Sequence, residues 1–98
     1  MKLYVLVRKD LSKSQQAIQS GHAVAEWLLC EPSPQWGNGT LVYLSVKNER
    51  DLHKWMYKLE QRGKPFAKFI EPDIGDQVTA IASLSDGEEF KGLDLLRL

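Results

Sequence analysis

The order of the predicted secondary-structure elements indicates an α/β fold, a four-stranded mixed sheet flanked by helices. Two observations support this prediction. Four short runs are rich in β-branched and other apolar residues, as strands are, and two longer segments between them repeat apolar residues at helical spacing. Their order along the chain, β-α-β-α-β-β, places helices between strands, which is typical of a largely parallel or mixed sheet covered by helices.

The first strand and the first helix are predicted within residues 3–30. The run Leu3–Val7 is continuously apolar, which is typical of a strand buried on both faces. Ser12 precedes Gln15 by three residues, as in a capping box, so the first helix is expected over Lys13–Cys30. Apolar residues recur along this helix at helical spacing and predict one apolar face, formed by Ile18, Gly21, Ala25, Leu28 and Leu29.

The second helix is predicted by its cap and by its apolar stripe. It follows a second strand at Thr40–Val46, and Asn48 is a favourable N-cap residue for it. Gly63 is placed to end it. A single buried stripe at positions i, i+3, i+4 and i+7 is formed by Leu52, Trp55, Met56 and Leu59.

Two further strands are expected at Pro65–Ile70 and Val78–Leu84. The segment between them, Glu71–Gln77, is rich in Pro, Asp and Gly and predicts a turn. After the fourth strand, an acidic tail is expected to dock back on the domain through residues 93–96.

Composition indicates one ordinary globular domain over residues 1–98. The hydrophobic share of 43% and the charged share of 27% exclude a disordered tail. A formal net charge of zero excludes a strongly basic nucleic-acid module. The charge is nevertheless segregated, because residues 1–70 carry eleven basic and six acidic side chains, whereas residues 71–98 carry two and seven. This asymmetry permits a polyanionic partner for the first two thirds of the chain.

The same sequence favours a reducing compartment. A single cysteine, Cys30, excludes an intramolecular disulfide and a multi-cysteine zinc site. The longest apolar run is five residues, far short of the ~20 that span a bilayer. No room for a signal peptide precedes the first strand. We therefore expect a cytoplasmic protein that is not inserted in a membrane.

Four polar side chains of the first helix share one ridge, because they are spaced by four, three and four residues: Gln15, Gln19, His22 and Glu26. His22 lies at the border of the apolar face. It is either a half-buried histidine with a backbone partner or a group that orients the substrate and transfers protons, since an unperturbed histidine has a pKa near 6.5.

The turn before the fourth strand is the second candidate for chemistry. Asp73, Asp76, Gln77 and Thr79 fall within seven residues, just before or within the start of an apolar strand. Turn aspartates commonly bind local backbone N–H groups. A carboxylate at a strand end in an α/β fold is also well placed to position or deprotonate a water molecule.

The second helix carries a basic ridge at a strict four-residue interval, formed by Arg50, Lys54, Lys58 and Arg62. Such a ridge is either a solvated helix surface or a strip that contacts phosphate groups. Lys9 and Lys13, at the entrance to the first helix, would extend a phosphate-binding surface. The sequence contains no glycine-rich phosphate loop, no recognisable metal-ligand spacing and no nucleophile elbow.

Two segments together resemble the type II peptidyl-tRNA hydrolases. The strand VLVRKDL, followed by a helix with Gln19-Ser20-Gly21-His22-Ala23, is similar to that family's V-V-R-x-D-L and A-Q-x-x-H-A motifs. The turn with Asp73, Gly75 and Gln77 is similar to its D-x-G-x-T-Q block, and length and element order match over nearly the whole chain. The family's helix lysine is replaced here by Gln15, and its threonine before the last glutamine by Asp76.

The resemblance implies hydrolysis of the ester that joins a peptide to the 3′ end of tRNA, without a metal or an organic cofactor. In this assignment Asp73 positions or activates water, and His22 and Gln19 orient the substrate. The remaining substrate contacts would come from Lys9, Asp10, Lys13, Gln15, Gln77 and Thr79, and the basic ridge would hold the tRNA phosphates. A homodimer is an assembly that the resemblance allows.

The replacement of the family's lysine by Gln15 leaves a second interpretation open. Losing a cation that stabilises the transition state costs a few kcal/mol, enough for a ~100-fold loss of rate. The alternative is therefore a catalytically inactive module that uses the same fold to bind RNA or a protein.

Overall fold

The structure is a computed structural model that describes residues 1–30, 36 and 39–97. Within these residues the chain forms five strands and two α-helices, in the order β1 (Lys2–Arg8), α1 (Lys13–Cys30), β2 (Leu41–Val46), α2 (Glu49–Gln61), β3 (Ala67–Glu71), β4 (Gln77–Ser85) and β5 (Asp94–Leu95). One-turn 3₁₀ helices at Pro72–Ile74 and Glu88–Phe90 precede and follow β4.

The strands form one mixed sheet in the order β3-β4-β1-β2-β5. β1 and β2 are parallel, whereas β4 is antiparallel to both β1 and β3. β3 therefore runs in the same direction as β1 and β2. The α/β class and the mixed sheet covered by helices agree with the sequence prediction, but the predicted number of four strands is wrong.

The strand missing from the prediction is β5. Its two residues pair antiparallel with Leu44 and Ser45 at the free edge of β2, and the backbone N–H of Leu96 donates to the carbonyl of Tyr43 (2.9 Å). A two-residue strand with a charged residue has no periodic pattern to reveal it. The predicted docking of the tail is confirmed, since Leu93 and Leu96 pack against the hydrophobic core.

The core consists of two layers, one on each face of the sheet. Leu6, Leu44 and Ile81 pack against Leu52, Met56 and Leu59 of α2. Val5, Val7, Ala80 and Ala82 pack against Ala23 and Trp27 of α1 on the opposite face. Successive residues of β1 point to opposite faces, which explains why its whole run is apolar.

Helix α2 has the predicted cap and the predicted stripe. The side chain of Asn48 accepts a hydrogen bond from the backbone N–H of Asp51 (3.1 Å). Leu52, Met56 and Leu59 are buried, and Trp55 is half-buried beside them. The chain leaves the helix through Gly63, whose φ of +65° is the left-handed conformation that glycine adopts at low cost.

Helix α1 has the predicted bounds but not the predicted buried face. Its expected apolar residues are exposed, with Ile18, Leu28 and Leu29 at 47%, 59% and 82%. The face against the sheet is instead largely polar, formed by Gln16, Gln19, Ser20, Ala23 and Trp27. These polar groups are bonded: the Gln16 amide donates to the carbonyls of Lys9 and Leu11, and the Ser20 hydroxyl donates to the Gln16 carbonyl (2.7 Å).

A buried ion pair attaches the second 3₁₀ helix to the chain that follows α2. Lys64 Nζ lies 2.9 Å from the carboxylate of Glu89, whose side chain is 3% exposed. Burial acts to raise the pKa of Glu89, but hydrogen bonds from Lys64, from its own backbone and from Ser85 outweigh burial, so the pKa lies below its ordinary value.

We expect Lys64→Met to lower the free energy of unfolding at pH 7 by about 2 kcal/mol, because it leaves a buried carboxylate without its cation. Since the folded pKa of Glu89 lies below the unfolded one, this stabilisation is complete above about pH 4.3 and is lost as the pH falls through the folded pKa. Urea unfolding at pH 7 and pH 3 measures both effects. A deficit in the variant that is the same size at both pH values would contradict this assignment, and Lys68→Met, at an exposed lysine, is the matched control.

Candidate functional site

The polar segments singled out in the sequence meet at one edge of the sheet. Because β1, β2 and β3 are parallel to one another, their carboxyl ends lie at the same edge, where α1, α2 and β4 begin. We call this the carboxyl edge. In open α/β sheets, ligands bind outside the carboxyl ends of the strands.

A β-bulge turns Thr79 toward helix α1. Phe69 pairs with Ala80, and Ile70 pairs with Val78, so Thr79 is the extra residue on β4. A bulge re-aims a side chain because two residues of one strand face a single residue of the other. Val78 packs in the α2 layer and Ala80 in the α1 layer, while the buried Thr79 hydroxyl donates to Gln19 Oε1 (2.7 Å).

Gln19 is the centre of this contact. It is fully buried, and its Nε2 donates both to Gln15 Oε1 (3.0 Å) and to Glu71 Oε1 (3.1 Å). One glutamine therefore joins the first turns of α1 to the end of β3 and to the bulge in β4. Helix α1 and the residues on either side of the turn before β4, 52 to 60 residues apart in the chain, are therefore in direct contact.

A second network surrounds Arg8, the last residue of β1. Its guanidinium is buried and donates two hydrogen bonds to the Asp10 carboxylate (both 2.9 Å), one to Gln77 Oε1 (2.8 Å) and one to the Val78 carbonyl (3.1 Å). The hydrogen bond with Asp10 raises the pKa of Arg8 above its ordinary value, against the opposing effect of burial. Glu49, at the start of α2, accepts the Val78 N–H (2.9 Å).

His22 and Asp73 lie beside the Gln19 contact. The imidazole of His22 is half-buried and stacks on the ring of Phe69, with centroids 4.3 Å apart and planes 12° apart. Asp73 is exposed on the 3₁₀ helix that directly follows Glu71. Among the described residues, no hydrogen bond or ion pair joins Asp73 to His22.

Helix α1 and strand β3 are thus linked by a ladder of contacts. The ring of His22 stacks on the ring of Phe69. Gln19 precedes His22 by three residues on the helix, and it binds Glu71, which follows Phe69 by two residues on the strand. The structure therefore places Gln15, Gln19, Thr79 and Glu71 together and connects Asp10 to Gln77 through Arg8.

The predicted cations are all exposed. Lys9 and Lys13 lie at the carboxyl edge, between β1 and the first turn of α1. Arg50, Lys54, Lys58 and Arg62 lie on the solvent side of α2, which packs on the opposite face of the sheet from α1. Their ridge starts next to Glu49 at the carboxyl edge and runs away from it for about 18 Å, given a rise of 1.5 Å per residue.

Sequence reasoning missed three residues that build the edge: Arg8, Glu49 and Glu71. Arg8 carried one available signal, a charged residue directly at the end of an apolar strand. Glu71 and Glu49 carried none, because their partners lie 52 and 29 residues away in the chain. Long-range pairing of this kind depends on sheet order and register.

Two features are absent from the described part of the chain. It holds no group of three or more His, Cys, Asp or Glu side chains arranged to bind a metal ion. No helix in the same residues combines the length and apolar character needed to cross a bilayer.

No family model matches the chain, and no curated protein does so. Among solved structures it is similar to a protein of unknown function from Agrobacterium tumefaciens, with a TM-score of 0.72 and 14% sequence identity. The match covers 98% of this chain and 97% of that chain. At this identity the likeness establishes a shared small α/β fold.

Proposed function

We propose that this chain hydrolyses the ester bond that joins an acyl or peptidyl group to tRNA, with its reaction centre at the carboxyl edge. The observation that carries the proposal is the pair of contacts from Gln19 to Glu71 and to Thr79. They join the helix that carries Gln19 and His22 to the two residues that flank the turn with Asp73, Gly75 and Gln77, and the resemblance to type II peptidyl-tRNA hydrolases rests on that helix and that turn.

The groups at this edge suit ester hydrolysis. Water attacks the ester carbonyl more readily when a carboxylate positions it and accepts its proton. Asp73 is exposed to take this role, and Glu71, held by Gln19 through Oε1, presents a second carboxylate two residues earlier. Stacking on Phe69 holds the imidazole of His22 one helical turn from Gln19, where it is placed to orient the leaving ribose hydroxyl.

The basic ridge of α2 supports the choice of a tRNA ester. Its four cations form no ion pair with any carboxylate in the described residues, and successive cations are spaced by about 6 Å along the helix axis. A strip of this kind binds a phosphate backbone by releasing its counterions. The ridge begins at the carboxyl edge, on the face of the sheet opposite α1.

The decisive measurement is release of a labelled acyl or peptidyl group from tRNA by the purified chain. We expect Asp73→Asn to lower the rate about 100-fold, the effect of removing a general base. Asp76→Asn is the matched control, because it makes the same change in the same turn and asparagine tolerates its positive φ. Release no faster than that by Asp73→Asn, or an equal loss in both variants, would rule out the assigned role of Asp73.

A second candidate function is tRNA binding without cleavage, which is favoured by glutamine at position 15 and by the unpaired ridge. We expect the double change Arg50→Glu and Lys54→Glu to weaken tRNA binding and to reduce the slope of log K against log salt by about 2. The control is the double change Lys2→Glu and Lys68→Glu, which alters the net charge equally but lies away from the ridge. It should reduce the slope of log K against log salt by less. Binding without turnover selects this candidate, and equal losses in both pairs would exclude the ridge as the contact.

A further inference from the structure

Two cavities flank strand β5 at the carboxyl ends of β1 and β2. The first has a volume of about 130 Å³ and is lined in part by Lys9, Gln16, Ser45, Asp94 and Leu95. The second, of about 170 Å³, is lined in part by Lys9, Ser45, Lys47, Trp55 and Asp94. Both contain Lys9, Ser45 and Asp94. The two cavities are therefore adjacent, and we call them together the groove.

The groove collects hydrogen-bond donors that have no protein acceptor in the described part of the chain. Within residues 1–30, 36 and 39–97, the ammonium groups of Lys9 and Lys47 have no ion-pair partner. In the same residues neither the Ser45 hydroxyl nor the Trp55 indole N–H makes a hydrogen bond. One of the groove's two carboxylates is already engaged, since Asp51 accepts the backbone N–H of Lys47 (3.3 Å). Three cations line the two cavities, since Arg97 lines the first in addition to Lys9 and Lys47, and with the two neutral donors they favour an anionic ligand.

The position of the groove in the fold also favours a ligand site. β1 and β2 are the adjacent parallel strands of the sheet, and the groove lies beyond their carboxyl ends, where α/β folds bind ligands. The two cavities together approach the lower end of the volumes of small-molecule pockets, about 300 Å³. That volume suits a compact group such as a phosphate.

The other carboxylate belongs to residues 92–97, which we call the C-terminal strap. The strap crosses the edge of β2, with Leu93 packed in the α2 layer and Leu96 in the α1 layer. Between these two anchors it pairs only through Asp94 and Leu95, both exposed. Asp94 lines both cavities together with Lys9, and Lys47 lines the second.

We propose that the carboxyl ends of β1 and β2 form a binding site for a phosphate group, either a monoester or a diester, and that Asp94 on the C-terminal strap competes for this site. Lys9 and Lys47 supply the charge, Ser45 and Trp55 supply neutral donors, and the strap moves aside as the phosphate enters. The segregation of charge along the sequence agrees with this arrangement, because an acidic residue of the tail lies among cations of the first 70 residues. The site uses neither Asp73 nor Gln19, so it stands whether or not the chain hydrolyses esters.

The test is a titration of the full chain, followed by the ¹⁵N resonances of the Trp55 indole and of the Ser45 and Lys47 amides. The probes are inorganic phosphate and a short single-stranded RNA without a terminal phosphate. Both probes contain phosphate oxygens. Tighter binding of inorganic phosphate would identify the ligand as a phosphate monoester, and tighter binding of the RNA would identify it as a backbone diester. Shifts at all three resonances with at least one probe are expected.

Variants separate the site from its strap. Replacing Lys9 and Lys47 together by Met should weaken binding at least tenfold, whereas the matched pair Lys2→Met and Lys68→Met should change it less than twofold. Asp94→Asn should tighten binding roughly fivefold, because it removes one like charge from the lining of the groove. If neither probe shifts the Trp55 resonance, or if both lysine pairs weaken binding equally, the phosphate site is wrong. If Asp94→Asn leaves the affinity unchanged, the competition by the strap is wrong.

Discussion

Replacing Gln19 with methionine should lower the free energy of unfolding by about 3 kcal/mol, although the two side chains are nearly equal in size. The glutamine is fully buried and makes three hydrogen bonds, one of them to the Glu71 carboxylate. Methionine removes all three and leaves the buried hydroxyl of Thr79 without an acceptor. An unpaired buried polar group costs about 1–3 kcal/mol, in addition to the hydrogen bonds lost.

A double-mutant cycle with Thr79→Val isolates the pair. Valine has the shape of threonine without its hydroxyl, so the double variant has no unpaired group at this contact. We expect the two changes together to cost about 1–2 kcal/mol less than the sum of the single changes. Gln15→Met, at the exposed end of the same network, should cost no more than about 0.5 kcal/mol. Additive effects in the cycle, measured by urea unfolding, would mean that Gln19 does not support Thr79.

The two helices and the four longer strands could be predicted because local signals determine them. Helix α1 has the predicted bounds, and Asn48 caps α2 as expected, since caps and helical periodicity act within a few residues of the chain. The run that forms β1 is apolar throughout because helices cover both faces of the sheet. None of these signals depends on a distant part of the sequence.

The buried face of α1 could not be predicted from hydrophobicity. Ile18, Leu28 and Leu29 are exposed, while Gln16, Gln19 and Ser20 are buried. The cost of burying these polar groups is offset by hydrogen bonds to backbone and side-chain partners, and Gln19 has partners 52 to 60 residues away. Periodicity analysis uses only the spacing of apolar side chains. It does not include the hydrogen-bond partners that make burial of polar side chains possible and that are brought near α1 only when the sheet folds.

The candidate site was predicted at the level of segments but not of contacts. Motif positions on α1 and on the turn before β4 indicated which two regions of the chain matter, and Gln19 and Thr79 were among the residues named. Their direct contact depends on a bulge that turns Thr79 toward α1, and a bulge has no signature in this sequence. The acidic residue that binds α1 through Gln19 is Glu71. It is not Asp73, which follows Glu71 by two residues.

Replacing Arg8 with methionine should also destabilise the fold by about 3 kcal/mol, through a different mechanism. The guanidinium joins the end of β1 to the start of β4, because the same group binds Asp10, Gln77 and the carbonyl of Val78. Methionine fills part of the volume but leaves that buried carbonyl without its side-chain donor. It also removes the cation that faces Asp10 and Glu49.

Arg8→Lys distinguishes the geometry of this group from its charge. Lysine keeps the positive charge, but a single ammonium lacks the planar fork that bonds both oxygens of Asp10 while also reaching Gln77 and Val78. We therefore expect lysine to recover less than half of the loss, whereas Lys2→Met, at the other end of the same strand, should cost within about 0.5 kcal/mol. Full recovery by lysine would show that only charge matters at this position. Val78, which accepts a hydrogen bond from Arg8, directly precedes the bulge residue Thr79. Loss of Arg8 should therefore also shift the ¹⁵N resonance of Thr79. Such a shift would link the stability of the carboxyl edge to the position of the buried Thr79 hydroxyl.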